Sequence, residues 1–232
     1  MDRFAELSAN VVDVRLAVSE ACRSVGRSPE EVTVIAVTKT WPASDIRLLA
    51  EVGVTDVGEN RDQEAKVKYE EVADLGLTWH AIGQLQTNKA KSVASWADVV
   101  HSVDRTEIID ALAKHATGRE EPLKVLLQMN LDLVPTEQRG GCLPDELVAL
   151  AERVLAHEHL ELAGVMGVAP LSGDAQRAFA QLQDSSGRLR TLDPKATWIS
   201  AGMSDDFPAA IKYGATHLRI GSLILGHRPV GR

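Results

Sequence analysis

Short apolar runs alternate with helical patterns along nearly the whole chain, and this alternation restricts the fold more than any other feature. The runs are Val32–Val37, Val54–Val57, Thr78–Ile82, Ala97–Val100, Leu123–Met129, Leu160–Val165, Thr197–Ile199 and Thr216–Ile220. Each has the length of a buried strand. Strict alternation of strand and helix predicts parallel strands joined by right-handed crossovers. Eight such strands predict an α/β fold closed into a (β/α)8 TIM-type barrel, and a doubly wound open sheet is the rival.

The segments between the runs carry helical periodicity. They lie near 43–52, 61–74, 87–95, 105–116, 143–157, 173–190 and 205–213. Asp104 and Ser204 precede two of them as N-cap candidates. Residues 1–27 mix charged and apolar positions, which indicates an extra N-terminal amphipathic helix rather than a secretion signal. With no repeat, low-complexity tract or long linker, we expect one domain over 1–232.

Composition excludes several classes of function. The chain has 232 residues with a formal net charge of -8, which argues against a protein built to bind nucleic acid phosphates. Cys22 and Cys142 lack the spacing of a zinc site or a disulfide framework, so a reducing cytoplasm is expected. No uncharged apolar run approaches the roughly 18 residues of a membrane span. We therefore expect no nucleic acid and no membrane partner.

In a barrel of this type, ligands bind at the carboxyl ends of the strands. The residues that follow the apolar runs are Thr38–Thr40, Gly58–Asn60, Gly83–Asn88, His101–Asp104, Asn130, Met166–Gly167, Ser200–Ser204 and Arg219–Ser222. We therefore expect the functional site to be built from these segments.

Lys39 comes directly after the first predicted strand. Partial burial there would favour the neutral amine, and a neutral amine attacks an aldehyde. For an isolated lysine, a solvated position at a strand end is the commoner situation. Both interpretations stay open on this residue alone.

Two turns rich in small residues, Ser200–Ser204 and Gly221–Ser222, follow the seventh and eighth strands. Main-chain N–H groups in such turns can hold a phosphate, and barrels of this type commonly bind phosphate at this place. A glycine turn can also be purely conformational. Arg219, Asn60, His80 and His101 likewise have ordinary interpretations as paired or hydrogen-bonded residues, and two histidines alone do not make a metal site.

Six segments in order resemble one known family. They are AVTKTWPASDI, VGENRDQEAKVK, WHAIGQLQTNKAK, HSVDR, GVMGVAP and SAGMSDDFPAAIKYGATHLRIGSLILG. These segments resemble the pyridoxal 5'-phosphate (PLP) homeostasis proteins of the YggS/PROSC type, and the resemblance covers nearly the whole chain.

The resemblance implies a PLP barrel of fold type III, similar to the N-terminal domain of alanine racemase, with no firmly assigned reaction. It implies a role in PLP supply and vitamin B6 balance. By motif matching, Lys39 holds PLP as a Schiff base. The other implied contacts are the phosphate at Ser200, Gly202, Gly221 and Ser222, the pyridine nitrogen at Arg219, and the ring at Asn60 and Met166.

Three positions depart from the family pattern. Arg61 stands where an aromatic residue is common, which predicts a more basic pocket rim. Gln138-Arg139-Gly140 stands where Lys-x-Gly is frequent, which puts a role of that lysine in doubt. Leu225 replaces a common phenylalanine, and we expect this packing change to leave the phosphate turn intact.

Three classes of function remain in comparison. The first is a PLP carrier or homeostasis protein that is not an enzyme, with PLP-dependent apoenzymes or B6-salvage enzymes as partners. The second is an amino-acid racemase or another PLP enzyme. The third is an interaction protein in which PLP is incidental, which predicts a pocket tolerant of substitution.

The racemase expectation is weakened by two features of the sequence. Alanine racemases add a β-rich second domain, whereas this chain ends about ten residues after its eighth strand, and we expect a monomer. The tyrosines Tyr69 and Tyr213 both lie in predicted helices, so a second base is not evident. An arginine at position 219 offers only donors and has a pKa above about 12, so it would keep the ring nitrogen unprotonated and weaken the cofactor as an electron sink.

Overall fold

The computed structural model describes residues 2–132, 139–170 and 174–226, and eight strands in these ranges form a closed parallel barrel. The strands are β1 Thr33–Val37, β2 Asp56–Glu59, β3 Thr78–Ala81, β4 Val99–Val103, β5 Leu123–Met129, β6 Leu160–Gly167, β7 Trp198–Ser200 and β8 His217–Ile220. Strand β8 pairs with β1 and closes the barrel, with Arg219 opposite Ile35. The predicted (β/α)8 barrel is confirmed, and the open sheet is wrong. That residues 1–232 form one domain stays a prediction.

Helices surround the barrel in the described part of the chain. They are α1 Arg3–Ser24, α2 Ala43–Glu51, α3 Asp62–Glu71, α4 Ala90–Val93, α5 Thr106–His115, α6 Leu147–Leu155, α7 Ala175–Leu192, α8 Phe207–Lys212 and α9 Ser222–Leu225. Three short 3₁₀ turns lie at Pro29–Glu31, Ala73–Leu75 and Thr87–Lys89. The short α9 was not predicted, because four residues carry too little periodicity to distinguish a helix from a turn. Residue 173, the predicted start of the seventh helix, lies outside the described residues.

The extra N-terminal helix α1 is confirmed. It buries Leu7, Val11, Val14, Val18 and Cys22, spaced three or four residues apart on one face. This apolar stripe faces the rest of the protein, where α1 contacts α2, α8 and α9. None of the helices in ranges 2–132, 139–170 and 174–226 is long and apolar enough to cross a membrane.

Several strands extend beyond the apolar runs that predicted them. Strand β2 ends at Glu59, β4 continues through His101 to Val103, and β7 ends at Ser200. The predicted ends were set at the last apolar residue. The strands continue because these polar side chains are buried and hydrogen-bonded inside the protein.

The two predicted N-caps are wrong. Helix α5 has Arg105 at its N-cap position, and the Asp104 carboxylate instead accepts hydrogen bonds from the Gly141 N–H and the Arg105 guanidinium. Helix α8 has Asp206 rather than Ser204 at its N-cap position. Asp104 makes a long-range contact with Gly141 instead of capping α5. Helix α8 has its N-cap two residues after the predicted one.

Candidate functional site

The predicted cofactor lysine lies in the turn after β1, at the carboxyl end of the barrel. Lys39 is half-buried, and Thr38 before it is fully buried. Thr40 after it adopts a φ of 69°, a left-handed conformation that a β-branched residue rarely takes. The turn is therefore held in an uncommon shape, and the contacts around it explain how.

An outer network, made of Thr38, Thr40, Glu59, Glu64 and Lys68, holds the two residues that flank the predicted lysine. The Lys68 ammonium donates to the Thr38 carbonyl at 2.9 Å, Glu59 Oε1 at 2.7 Å and Glu64 Oε1 at 2.6 Å. The Thr38 hydroxyl donates to Glu59 Oε1 at 2.6 Å, and the Thr40 N–H donates to the Glu64 carboxylate. Both flanks of the lysine are thus tied to β2 and α3.

Burial and hydrogen bonding move the two carboxylates of this network in opposite directions. Burial raises the pKa of Glu59, although Lys68 and Thr38 donate to it. Burial alone would also raise the pKa of Glu64, but hydrogen bonds from Lys68 and the Thr40 N–H hold it below its ordinary value. The more exposed carboxylate therefore carries its negative charge more readily.

Sequence reasoning missed this network. Two signals pointed to it: Glu64 and Lys68 are spaced i, i+4 in α3, and Glu59 is a charged residue ending a buried strand. Neither signal shows that both side chains converge on the turn after a different strand. That convergence depends on the register between β1 and β2.

Arg219 lies in the barrel interior near the carboxyl end of β8, with 5% of its surface exposed. Its Nη1 donates to Ser200 Oγ at 2.6 Å and its Nη2 donates to the Gly167 carbonyl at 2.9 Å. Burial lowers the pKa of Arg219 to about 10, below the value above about 12 expected from the sequence. The guanidinium remains a cation at neutral pH.

Ser200, a predicted phosphate contact, directs its hydroxyl into the barrel. The hydroxyl oxygen lies 2.9 Å from His101 Nδ1 and accepts from Arg219. A phosphate contact at this residue would therefore have to come from the main chain, and it stays a prediction.

The two glycines predicted to contact phosphate differ in whether their surroundings and backbone conformation require glycine. Gly202 has a φ of 92°, and a Cβ there would meet the Ala210 Cβ at 2.8 Å, so only glycine fits. Gly221 has a φ of -111°, and a Cβ there would meet Val37 at an ordinary 3.6 Å. A left-handed backbone therefore does not explain glycine at 221. Ser222 is the exposed first residue of α9, where helical N–H groups lack intrahelical partners.

The two predicted ring contacts lie in different surroundings. Asn60 is exposed directly after β2 and lines a cavity of about 740 Å³. Met166 is 2% exposed and packs in the barrel interior with Val99, Leu126 and Ala163. Met166 pairs in register with Ser200, which places it in the same layer of the barrel.

The 740 Å³ cavity contains one of the departures from the family pattern. Arg61 lies exposed at its rim with Lys89 and Arg105. Arg105 donates to Asp104, and Lys89 lies 3.8 Å from an acidic partner in α3. The rim therefore mixes both signs of charge, and the expectation that Arg61 makes this part of the rim more basic than in the family stays a prediction.

The loop after β5 contains the second departure. Arg139 pairs with Asp132 at 2.8 Å and donates to the Val168 and Ala169 carbonyls. It thus ties this loop to the segment after β6. Gln138, where the family lysine is frequent, lies outside the described residues. The third departure, Leu225, is fully buried in α9, and its effect on the phosphate turn stays a prediction.

The described ranges hold no group of three His, Cys, Asp or Glu side chains placed to bind a metal ion.

Comparison with known proteins identifies the family. The alanine racemase N-terminal domain family matches residues 18–229. The pyridoxal phosphate homeostasis protein of Pseudomonas aeruginosa is 40% identical, with 98% of each chain covered. The chain belongs to the pyridoxal phosphate homeostasis protein family.

Solved structures agree with this family. PipY of Synechococcus elongatus, solved with PLP bound, is 35% identical with a TM-score of 0.78, covering 90% of this chain and 100% of that one. Alanine racemase of Corynebacterium glutamicum is 14% identical with a TM-score of 0.69, covering 98% of this chain and 62% of that one. The racemase likeness shows the shared fold alone, and the fold type expected from the resemblance is confirmed.

Proposed function

We propose that this chain binds PLP, holds it as a Schiff base on Lys39, and serves PLP homeostasis without efficient turnover of amino acids. One observation carries the proposal. The turn with Lys39 follows β1, Arg219 lies on β8 and α9 follows β8, and β1 and β8 are neighbouring strands in the barrel. The groups to which we assign PLP binding are thus adjacent at the carboxyl end.

The chemistry of these residues fits the parts of the cofactor. A half-buried amine suits the aldehyde, a buried guanidinium suits an unprotonated ring nitrogen, and main-chain donors near Gly202 and Gly221 suit a phosphate dianion. PLP supplies a reactive aldehyde when bound. The Lys39 amine would hold the cofactor through this aldehyde as a Schiff base, with loss of water. Addition of water would reverse the attachment and release the cofactor from the same lysine.

Two observations support a carrier rather than an enzyme. Arg219 offers donors alone and remains protonated, so it favours a neutral ring nitrogen and a weak electron sink. Tyr69 packs edge-on against Trp79 with ring centroids 5.6 Å apart, and Tyr213 ends α8 beside Lys212. Neither tyrosine lies at a strand end where a second base would act.

Borohydride trapping tests the attachment. We expect purified protein loaded with PLP to absorb visible light and, after reduction, to carry the cofactor on a peptide containing Lys39. Lys39→Ala should remove this adduct, and Lys66→Ala, an exposed lysine of α3, should keep it. An adduct found only on Lys66 or Lys89 would show the assignment to be wrong.

A comparison of PLP with pyridoxal tests the phosphate turns. Each lost charge-assisted hydrogen bond should weaken binding by roughly one to two decades, or about 1.5–3 kcal/mol. Equal affinity for the two ligands would contradict a phosphate site at Ser200, Gly202, Gly221 and Ser222.

Deuterium exchange separates the carrier from a racemase. PLP-loaded protein incubated with L-alanine in deuterated water should give negligible D-alanine and negligible α-deuterium. Turnover of about 1 per second or faster that disappears in Lys39→Ala would make the chain a racemase.

The proposal also covers the partners, the compartment and the oligomeric state of the protein. PLP-dependent apoenzymes or B6-salvage enzymes would receive or supply the cofactor in the cytoplasm, with this protein as a monomer. The free, buried thiols of Cys22 and Cys142 are compatible with a reducing compartment, and burial raises the pKa of Cys142 to about 12.

A further inference from the structure

A chain of hydrogen bonds crosses the barrel interior and ends at Arg219. This inner network consists of Asp56, His80, His101, Ser200 and Arg219. Asp56 Oδ1 lies 3.0 Å from His80 Nε2, and His80 Nδ1 lies 2.9 Å from His101 Nε2. His101 Nδ1 lies 2.9 Å from Ser200 Oγ, which accepts from Arg219 Nη1 at 2.6 Å.

The network spans the barrel from one end to the other. Asp56 is the first residue of β2, at the amino end, and its side chain is 17% exposed. His80, His101 and Ser200 are each 0% exposed. Arg219 lies near the carboxyl end, where the cofactor site is proposed. A partly solvated carboxylate is thus connected to a buried cation through neutral groups.

For a neutral His80, the two ends fix the direction of every proton in between. A carboxylate only accepts, so the single His80 hydrogen lies on Nε2 and Nδ1 is left as an acceptor. His101 must then donate from Nε2, and its Nδ1 accepts the Ser200 hydroxyl hydrogen. Ser200 consequently offers its lone pairs to Arg219. This tautomer assignment follows from the network itself, since hydrogens are placed by their partners.

Electrostatics agree with a neutral His101 in the interior. Burial holds the pKa of His101 well below its ordinary value, and the nearby Arg219 cation acts in the same direction. Hydrogen bonds from His80 and Thr55 bring the pKa of Asp56 below its usual value, although burial alone would raise it. A charged imidazole next to the Arg219 cation would be repelled.

We propose that His80 and His101 are positioning residues, which orient the Ser200 hydroxyl and so hold the Arg219 guanidinium in the direction that the ring nitrogen of the bound cofactor requires. Ser200 Oγ can accept from Arg219 because its one hydrogen is committed to His101. Without His101, that hydrogen is free to turn toward the cation and break the contact. The role in cofactor binding rests on the proposed function.

Imidazole nitrogen NMR on the protein without cofactor tests the network directly. His80 and His101 should each carry a hydrogen on Nε2, and His101 should be neutral. A hydrogen on His101 Nδ1, or a charged His101 at neutral pH, would overturn the proton order. This measurement does not depend on PLP.

Binding of pyridoxine 5'-phosphate tests the positioning role. This probe has an alcohol in place of the aldehyde and cannot react with Lys39, so it reports ring and phosphate contacts alone. His101→Phe keeps the ring volume and removes both hydrogen bonds, and should weaken binding about tenfold or more. His101→Asn places an amide oxygen where Nδ1 was, and should recover most of the loss.

The order of the two variants separates positioning from packing. A merely structural histidine would tolerate Phe better than the smaller Asn, and that order overturns the proposal. His217→Phe and Ser102→Ala are the matched controls, a buried histidine and a buried hydroxyl outside the network, and each should change affinity less than about threefold.

Failure of the proposed function itself is distinguishable from failure of the network. Wild-type protein that binds neither PLP nor pyridoxine 5'-phosphate overturns the function and the positioning role together, whatever the tautomers are. Wild-type protein that binds both, with His101→Phe unchanged, overturns the positioning role alone.

Discussion

The outer and inner networks each hold one residue proposed to bind the cofactor, but they differ in the kinds of side chain that make the contacts. The outer network holds the Lys39 turn with an ammonium between two carboxylates. The inner network holds Arg219 with two histidines and a hydroxyl, and its carboxylate lies at the far end of the barrel.

Their surroundings explain the difference. The outer network lies between the barrel wall and α3, where the Glu64 side chain is still 25% exposed and water lowers the cost of charge. The inner network crosses the barrel interior, where both histidines are fully buried and an added ion would lose its hydration. The comparison teaches that this barrel places the ion pairs of Lys68 outside its wall, whereas inside the barrel imidazole and hydroxyl groups support the Arg219 cation.

The largest expected effect comes from removing the central cation of the outer network. Lys68→Met keeps the apolar stem but leaves the buried Glu59 carboxylate without its partner, so we expect a loss of about 3–5 kcal/mol in the free energy of unfolding. Urea denaturation measures it. Lys66→Met, at an exposed position of the same helix, should change stability by less than about 0.5 kcal/mol.

Glu59→Gln combined with Lys68→Met removes both charges and should recover part of that loss. If Lys68→Met alone is as stable as wild type, the outer network is not held by charge and the contrast between the networks disappears.

The second prediction concerns pH and the barrel interior. Burial lowers the pKa of His217 to about 3, with a smaller contribution from His80, while Asp56 acts in the opposite direction. A group whose folded pKa is depressed contributes stability above its unfolded pKa of about 6.5, and that stability is lost as pH falls toward 3. Between pH 6.5 and 5 the loss should be about 2 kcal/mol for His217 alone.

His101, whose pKa is also well below its ordinary value, should add to this loss in the same direction. Urea denaturation at pH 6.5 and 5 measures the summed loss in the free energy of unfolding. His217→Phe should remove the part of this pH dependence that His217 contributes. Stability that stays flat over this range would mean that the interior histidines accept protons when folded, contrary to a neutral interior.

Periodicity predicted the barrel but neither network. The apolar runs and helical segments located all eight strands within a few residues, because burial on a strand depends on local sequence. The networks connect residues such as Thr38 with Lys68, and His101 with Ser200, which are 30 and 99 positions apart. Such contacts depend on strand register, which a single sequence does not show. Motif resemblance assigns Lys39 and Arg219 to the proposed site, but it does not reveal the networks that hold these two residues.

The third prediction concerns Gly202, whose carbonyl accepts a hydrogen bond from the main-chain N–H of Arg219, the last residue of the inner network. Gly202→Ala should cost about 1–2 kcal/mol more than Gly26→Ala. Both positions have a left-handed φ, but a Cβ at Gly26 meets nothing within 4 Å. The difference between the two variants thus isolates the contacts of the added Cβ with Ala210, Phe207 and Leu218. Equal losses in thermal denaturation would assign the whole cost to backbone conformation.

The smallest effect is expected at the left-handed residue of the outer network. Thr40→Gly removes a side chain from a φ of 69° and keeps the main-chain N–H that donates to Glu64. Relief of the left-handed conformation gains about 1 kcal/mol, and the greater entropy of glycine in the unfolded chain offsets about 0.4–1 kcal/mol of it. The net gain in the free energy of unfolding should therefore be at most about 0.5 kcal/mol, or a rise in Tm of about 1–2 °C. Thr40→Ala keeps a Cβ in the strained conformation and should show no such gain.

Borohydride trapping in the Thr40→Gly variant then shows whether the position of Lys39 depends on the strain at Thr40 or on the other residues of the outer network. Slower trapping with unchanged stability would assign a share of the positioning to Thr40 itself, whereas unchanged trapping would leave it to Glu59, Glu64 and Lys68.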